Sequence, residues 1–217
     1  MRFLVLALLV ALAPAASAQV AVLVPVDEAA ADPSFVTFRS GLLRDIAARD
    51  TAAVLGVFAA DATVSFGAES SGAAGIREMW FGPDPFAGAD FWATLARTVS
   101  LGSAVDGDLV AAPYLFLRFP AEHDAFSHVA VTGESVRVRA TPSRTGTVLG
   151  SVSYAVLPVE TEPSVFVEDW SDWTPVRLAT GESGWIASDY VRSPIDYRAG
   201  FVKGPRGWRI SFFVAGD

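Results

Sequence analysis

The sequence contains no cysteine. That excludes disulfides, thiolate metal sites, cysteine nucleophiles and a lipid anchor built on a lipobox. Lysine is nearly absent too, with Lys203 alone among 16 basic residues, and the histidines are only two, His123 and His128. The lysine scarcity beside so many arginines reads as coding bias. A formal charge of −8, one unit more negative once Arg2 is removed, argues against nucleic acid or anionic lipid as partner. No internal repeat stands out, and no cofactor or metal is expected.

Long apolar runs are confined to the amino terminus. Arg2 is followed by FLVLALLVALA from Phe3 to Ala13, and Ala16-Ser17-Ala18 fits an A-x-A cleavage pattern. Residues 1–18 therefore read as a signal peptide cleaved near Ala18, giving a periplasmic or secreted chain. The run is shorter than the roughly 20 residues of a comfortable membrane span, so no integral span is expected after cleavage. Residues 19–31 read as a linker.

Residues 32–127 read as a helix-rich α+β domain. Asp32-Pro33 is a helix start, and Phe35, Phe38, Leu42 and Ile46 recur at helical spacing. Asp50 caps a second short helix carrying Val54, Val57 and Phe58. Thr63 to Phe66 reads as a strand, Ile76 to Phe81 as a third helix closed by Pro83 and Pro85, and Ala89 to Leu101 as a fourth. Leu109 to Phe119 reads as a strand that Pro113 must place at an edge or a bulge. The stretch LLRDIAARDTAAVLGVFAADATVSFG resembles the opening of nuclear-transport-factor-like α+β cones, some of which are isomerases or dehydratases. An isomerase needs a buried carboxylate base with acid donors. Asp61, Asp90 and Tyr114 are the loosely placed candidates, with a turn acid, a helix cap and a core aromatic as their plainer readings. His123 and His128, beside Glu122 and Asp124, lack the i, i+4 spacing of a helical metal pair and read as polar loop residues. No catalytic constellation emerges, and the chain is expected not to be an enzyme.

From Val129 the apolar period changes to two. Val136 and Val138 alternate with Arg137 and Arg139, Ala140 to Gly146 is turn chemistry, and Val148, Leu149 and Val152 resume the core. Ala155 to Val159 and Trp173 to Leu178 read as strands, Thr180 to Gly184 as a hairpin turn, and Ser188 to Tyr190 as one helical turn. The motifs Val136-Arg-Val-Arg139, Pro142-Ser143, Val148-Leu149-Gly150, Trp173 with Val176, and Gly184-Trp185-Ile186 before Tyr190-Val191 resemble the bacterial SH3-like domain over residues 128–193. Tyr154, where the family often has glycine, and the insertion from Glu160 to Asp172 depart from the pattern. The resemblance implies a binding module of the cell envelope, with peptidoglycan, a peptide or a periplasmic protein as ligand. The aromatics available to a groove are Trp170, Tyr154, Tyr190, Trp173 and Trp185, of which Trp173 and Trp185 also read as core. Glu168, Asp169 and Asp172 beside Trp170 would repel acidic stem peptides.

Residues 194–217 read as a β-hairpin turning at Gly204-Pro-Arg-Gly207. A lone hairpin is marginal in water, so it must pack back on the α+β domain. Its sequence resembles the closing strands of the same cones. The whole order, from signal to the VAGD ending, resembles an uncharacterised group of exported bacterial SH3-domain-containing proteins. The fold class expected is α+β: amino-terminal helices and the carboxy-terminal hairpin in one unit, with an all-β SH3-like barrel inserted or appended. The function expected is non-catalytic binding. The rivals are a small-molecule-binding or enzymatic cone with an accessory barrel, and a purely structural barrel.

Overall fold

The computed structural model describes residues 20–67, 70–83, 90–160 and 172–216. The expected signal peptide, Pro85 and the stretch around Trp170 lie outside them. Helix α1 (Pro33–Ala47) begins where the Asp32 carboxylate accepts from the free amides of Ser34 (2.7 Å) and Phe35 (3.4 Å), with Pro33 in the first turn. Phe35, Leu42 and Ile46 lie on its buried face. Asp50 caps α2 (Thr51–Gly56) by accepting from the Ala53 amide. Helix α3 (Gly72–Phe81) starts before the expected Ile76, because Gly72 takes a φ of +55° and comes so close to the carbonyls of Ala59 and Ala60 that a Cβ would collide with them. Asp90 caps α4 (Phe91–Ser100) through the Trp92 amide.

The strands of this half are β1 (Phe58–Thr63), β2 (Ala104–Asp106) and β3 (Leu109–Ala112). Two expectations fail here. The sequence reads as a first strand over Thr63 to Phe66 with Phe58 in the preceding helix, but β1 runs Phe58–Thr63. Ala59, Ala60 and Ala62 carry little strand propensity, and β1 exists because a distant partner pairs with it. The second concerns Leu109 to Phe119. Strand β3 stops at Ala112, ahead of a cis Ala112–Pro113 bond, and the chain turns into a short helix, α5 (Leu115–Arg118). Pro113 thus falls just outside the ladder, and β3 need not be an edge.

Next come β4 (His128–Val131), β5 (Val136–Arg139), β6 (Val148–Val152), β7 (Val156–Pro158), β8 (Trp173–Arg177), β9 (Ser183–Ala187) and β10 (Val191–Arg192). They form a three-stranded sheet, β10-β4-β7, and a four-stranded one, β6-β5-β9-β8, joined by a bridge between Val159 and Val176. Both sheets face one core, which includes Val129, Val138, Leu157, Val176 and Ile186. Val148 was expected in that core but is 47% exposed. The hairpin β11 (Arg198–Gly204) and β12 (Gly207–Val214) completes the chain, turning over Pro205-Arg206 with Gly207 at φ +92°.

That hairpin occupies the middle of a five-stranded sheet, β1-β12-β11-β3-β2, in which β1 runs parallel to β12. Helices α1, α3 and α4 cover it, and Phe35, Phe201 and Phe213 are all fully buried between the layers. Burying a phenylalanine contributes about 1.5–3 kcal/mol. The larger core is therefore built from both ends of the chain, with the seven central strands between them in sequence. The architecture is α+β.

Residues 20–31, expected to be a linker, are part of the fold. Val22 bridges to Ala155, the Leu23 amide donates to the Tyr154 carbonyl (2.7 Å), and Glu28 N–H donates to the Ser103 carbonyl (2.9 Å). Leu23 is buried with Tyr114, Leu115, Ala130 and Val156 in a third cluster that joins the two halves. The segment alternates buried Leu23 with exposed Val22 and Val24, which is a strand pattern too short to stand out beside the preceding apolar run. It then turns into a short 3-10 helix, Glu28–Ala31.

Arg192 closes the junction from the other side. Its side chain is 2% exposed, pairs with Asp196 at 2.7 Å, and donates to the Tyr197 carbonyl at 2.6 Å and to Thr98 Oγ1 at 3.3 Å. Burial pushes this guanidinium down to about 10, with Asp196 pulling upward and Arg97 adding to the fall, so it stays charged at neutral pH. Its Nε has no partner among the described residues. Removing one member of a buried charge pair typically costs about 3–5 kcal/mol because the other charge is left uncompensated, so Asp196→Ala, which strands Arg192 at 2% exposure, should lower the unfolding free energy measured by urea denaturation by an amount of that order.

Acid should weaken the same junction. The hydrogen bond from Arg39 and those from Ser103 hold Asp27 below its ordinary 3.8, against opposing burial. Arg118 and the Val105 amide hold Glu28 below 4.5. A depressed folded-state value means the ionised form is preferred in the fold. The stabilisation is complete above about pH 5 and is lost as pH falls below these ordinary values. Urea midpoints taken from pH 6 to pH 3 should fall, and Asp27→Asn should flatten that fall.

Candidate functional site

Strands β8 and β9 pair antiparallel with Trp173 opposite Ala187. On β8, Thr174 and Val176 are fully buried and Trp173 and Pro175 face outward; on β9, Gly184 and Ile186 are buried and Trp185 and Ala187 face outward. Trp173 and Trp185 are therefore half-buried aromatics on the outer face of the sheet, outside the core cluster they were expected to join. Gly184 is what allows this: a Cβ there would run into Val138, so the inward position opposite β5 stays vacant for the valine.

Trp173 and Ala187 form part of a groove of about 420 Å³, closed on its other sides by β5 and by the turn that follows β9. Val136, Arg137 and Arg139 come from β5, Arg144 from the loop beyond it, and Asp189 and Tyr190 from the single 3-10 turn Ser188–Tyr190. Tyr190 is 51% exposed. Its ring is seated on Gly133, where a Cβ would stand 3.2 Å from the Tyr190 ring and 2.9 Å from Val136. Ser135, at φ +52°, turns the chain into β5, its amide donating to Ser153 Oγ at 2.8 Å. The volume lies within the ~300–1,000 Å³ range of ligand sites.

The groove brings together Trp173 and Tyr190 and leaves out the other expected aromatics. Tyr154 is half-buried at φ +53° and does not line the groove; its amide donates to the Gly133 carbonyl (3.1 Å), its carbonyl receives the Leu23 amide, and its phenol lies near Tyr114. Trp185 pairs across β5 with Arg139 and across β8 with Pro175 but does not line the groove. Trp170 lies outside the described residues.

The sequence reading missed the arginines. Arg139 Nη1 donates to the Gly146 carbonyl at 2.7 Å, tying the loop to the strand. Among the described residues, the side chains of Arg137 and Arg144 have neither a hydrogen bond nor an ion pair, whereas those of Arg39, Arg49, Arg118, Arg177 and Arg192 are each paired with a carboxylate. Glu134 and Asp189 are the acids of the groove. Three basic residues within the short stretch from Arg137 to Arg144, in a chain of net charge −8, were the available signal.

The candidates for chemistry lie apart. Asp61 is exposed on β1, and Asp90 caps α4 and pairs with Arg49 at 3.2 Å. Tyr114 is fully buried with its hydroxyl on the Leu23 carbonyl (3.2 Å), and burial, with a smaller contribution from Tyr154, pushes its phenol up to about 12. The rings of His123 and His128 are 4.9 Å apart, but no group of three metal-ligating side chains occurs among the described residues. No described helix is long and apolar enough to cross a membrane.

Because Arg137 and Arg144 hold nothing in the fold, Arg137→Gln and Arg144→Gln should each change unfolding free energy by less than about 0.5 kcal/mol, measured by urea denaturation. No family model, curated protein or solved structure matches this chain.

Proposed function

We propose that this chain is an exported, non-catalytic binding protein, and that its seven central strands are a bacterial SH3-like barrel. In this reading residues 128–193 recognise a cell-envelope component, either peptidoglycan or a peptide, or a periplasmic protein partner. The α+β unit serves as the rigid body that carries them. The observation that supports it best is the groove lined by both an exposed tyrosine, Tyr190, and a tryptophan, Trp173, from the outer face of two paired strands. Large rings on strand and turn backbones offer contact area at little entropic cost, and such residues dominate the affinity of binding surfaces. The groove is open and shallow enough for an extended chain to lie in it.

The purely structural reading gives no reason for a half-exposed Tyr190 seated on a glycine. The enzymatic form of the cone reading needs a buried carboxylate base, and Asp61 and Asp90 are both on the surface.

Co-sedimentation with purified cell-wall sacculi tests the cell-wall form of the proposal. The mature chain should pellet with sacculi, and the Trp173→Ala/Tyr190→Ala variant should bind at least tenfold more weakly, about 1.4 kcal/mol. A wild-type chain that stays in the supernatant eliminates the cell wall as ligand. Equal pelleting of both proteins eliminates the groove.

A further inference from the structure

We infer that the groove selects an extended peptide segment carrying carboxylate side chains, an acidic stretch of a partner protein. The inference rests on the reading of the groove as a binding surface and adds the chemistry of what it takes.

Three guanidinium groups, from Arg137, Arg139 and Arg144, line the groove against two carboxylates, from Glu134 and Asp189. Neither Glu134 nor Asp189 forms an ion pair with any of them among the described residues. The charges are thus not spent internally, in contrast to the paired arginines elsewhere in the fold. Arg137 and Arg144 are solvent-exposed, which leaves their planar forks available for two-point contact with a carboxylate.

The spacing also fits a strand. Arg137 and Arg139 are two residues apart on β5 and both line the groove. Their Cα atoms are therefore about 6.5–7 Å apart, which is the separation of alternate side chains along an extended peptide. A ligand lying along β5 can present acidic side chains to both. Its intervening residues then meet Trp173 and Tyr190. Arg139 is pre-positioned by its bond to the Gly146 carbonyl, so one of the two contacts is formed with little further ordering.

Asp172 adjoins Trp173 and opposes an acidic side chain at that edge, whereas Arg137 and Arg139 lie on β5, separated from β8 by β9, so the acidic side chains are taken on the β5 side of the groove. The chain as a whole is acidic and opposes an acidic ligand at long range. At physiological ionic strength that repulsion fades beyond about 8 Å, whereas the arginine contacts act at hydrogen-bond distance.

The test is selection of a displayed random hexapeptide library on the immobilised mature chain, in parallel with two full-length variants. The wild type should enrich Asp and Glu severalfold over the input. Arg137→Gln/Arg144→Gln should lose that preference by about tenfold while still selecting peptides, its folding checked by the urea midpoint. Trp173→Ala/Tyr190→Ala should select no common pattern. Enriched peptides that are neutral or basic, or an acidic preference that survives in the arginine variant, overturn the inference and leave the groove as a peptide site. No enrichment by the wild type overturns the inference and the peptide form of the reading beneath it.

Discussion

A charged guanidinium buried to 2% exposure constrains the junction of this molecule more than any other single group. Arg192 belongs to the last short strand of the central β sheets, yet its partners are Asp196 and Tyr197 at the approach to the hairpin and Thr98 on α4. A buried charge tolerates few geometries, because each lost partner leaves a large desolvation cost uncompensated. The adjacent Arg97 reaches the opposite way, from α4 to the carbonyls of Ser188 and Val191. These two side chains lock the 3-10 turn that carries Tyr190 to the helical layer. The wall of the groove is thereby held by the α+β half.

The amino-terminal strap works from the other flank. Residues 20–28 lie between the Tyr154–Val156 segment and the Ser103–Val105 segment, with backbone bonds to both. Gly102, at φ +66°, lets the strap pass so closely that a Cβ would collide with the Val26 carbonyl. Asp27 and Glu28 then anchor it through Arg39 and Arg118. Neither half can rotate on the other without breaking one of these connections.

Much of this was legible where the local signal was strong. The Asp-capped helices and the hairpin around Gly204 and Gly207 follow from capping chemistry, apolar spacing and turn residues. What escaped depends on distant partners. Phe58 to Thr63 is alanine-rich and becomes a strand only because β12 lies beside it. Leu23 is apolar in an apolar neighbourhood, so nothing marks it as a strap. Within the groove, the aromatics Trp173 and Tyr190 were visible as types, but the faces they occupy were not. Trp185 and Tyr154 look equivalent to them in sequence, and only the pleat and the positive φ at Tyr154 separate them. Arg137 was correctly placed on an outward face. That the face is the floor of a concavity depends on the nearby loop bearing Arg144 and on Trp173 and the turn bearing Asp189, of which the last two are contributed from far along the chain.

The place of the hairpin in the larger sheet governs the order in which this chain can fold. Strand β12 pairs with β1 across about 150 residues of sequence, and β11 joins β3. The apolar faces of α1 and α4 therefore have no completed sheet to lie on until the last residues of the chain are present. The central strands face no such delay, since their own contacts are nearer in sequence. Pairing of β4 with β10 then draws the two flanks of the long loop together. Closing what remains is only modestly cheaper, by roughly half a kcal/mol on logarithmic loop scaling. The rate at which the larger core assembles is thus tied to non-local pairing rather than to helix formation. A chain truncated before Arg198 would keep its groove strands and lose the middle of its principal sheet.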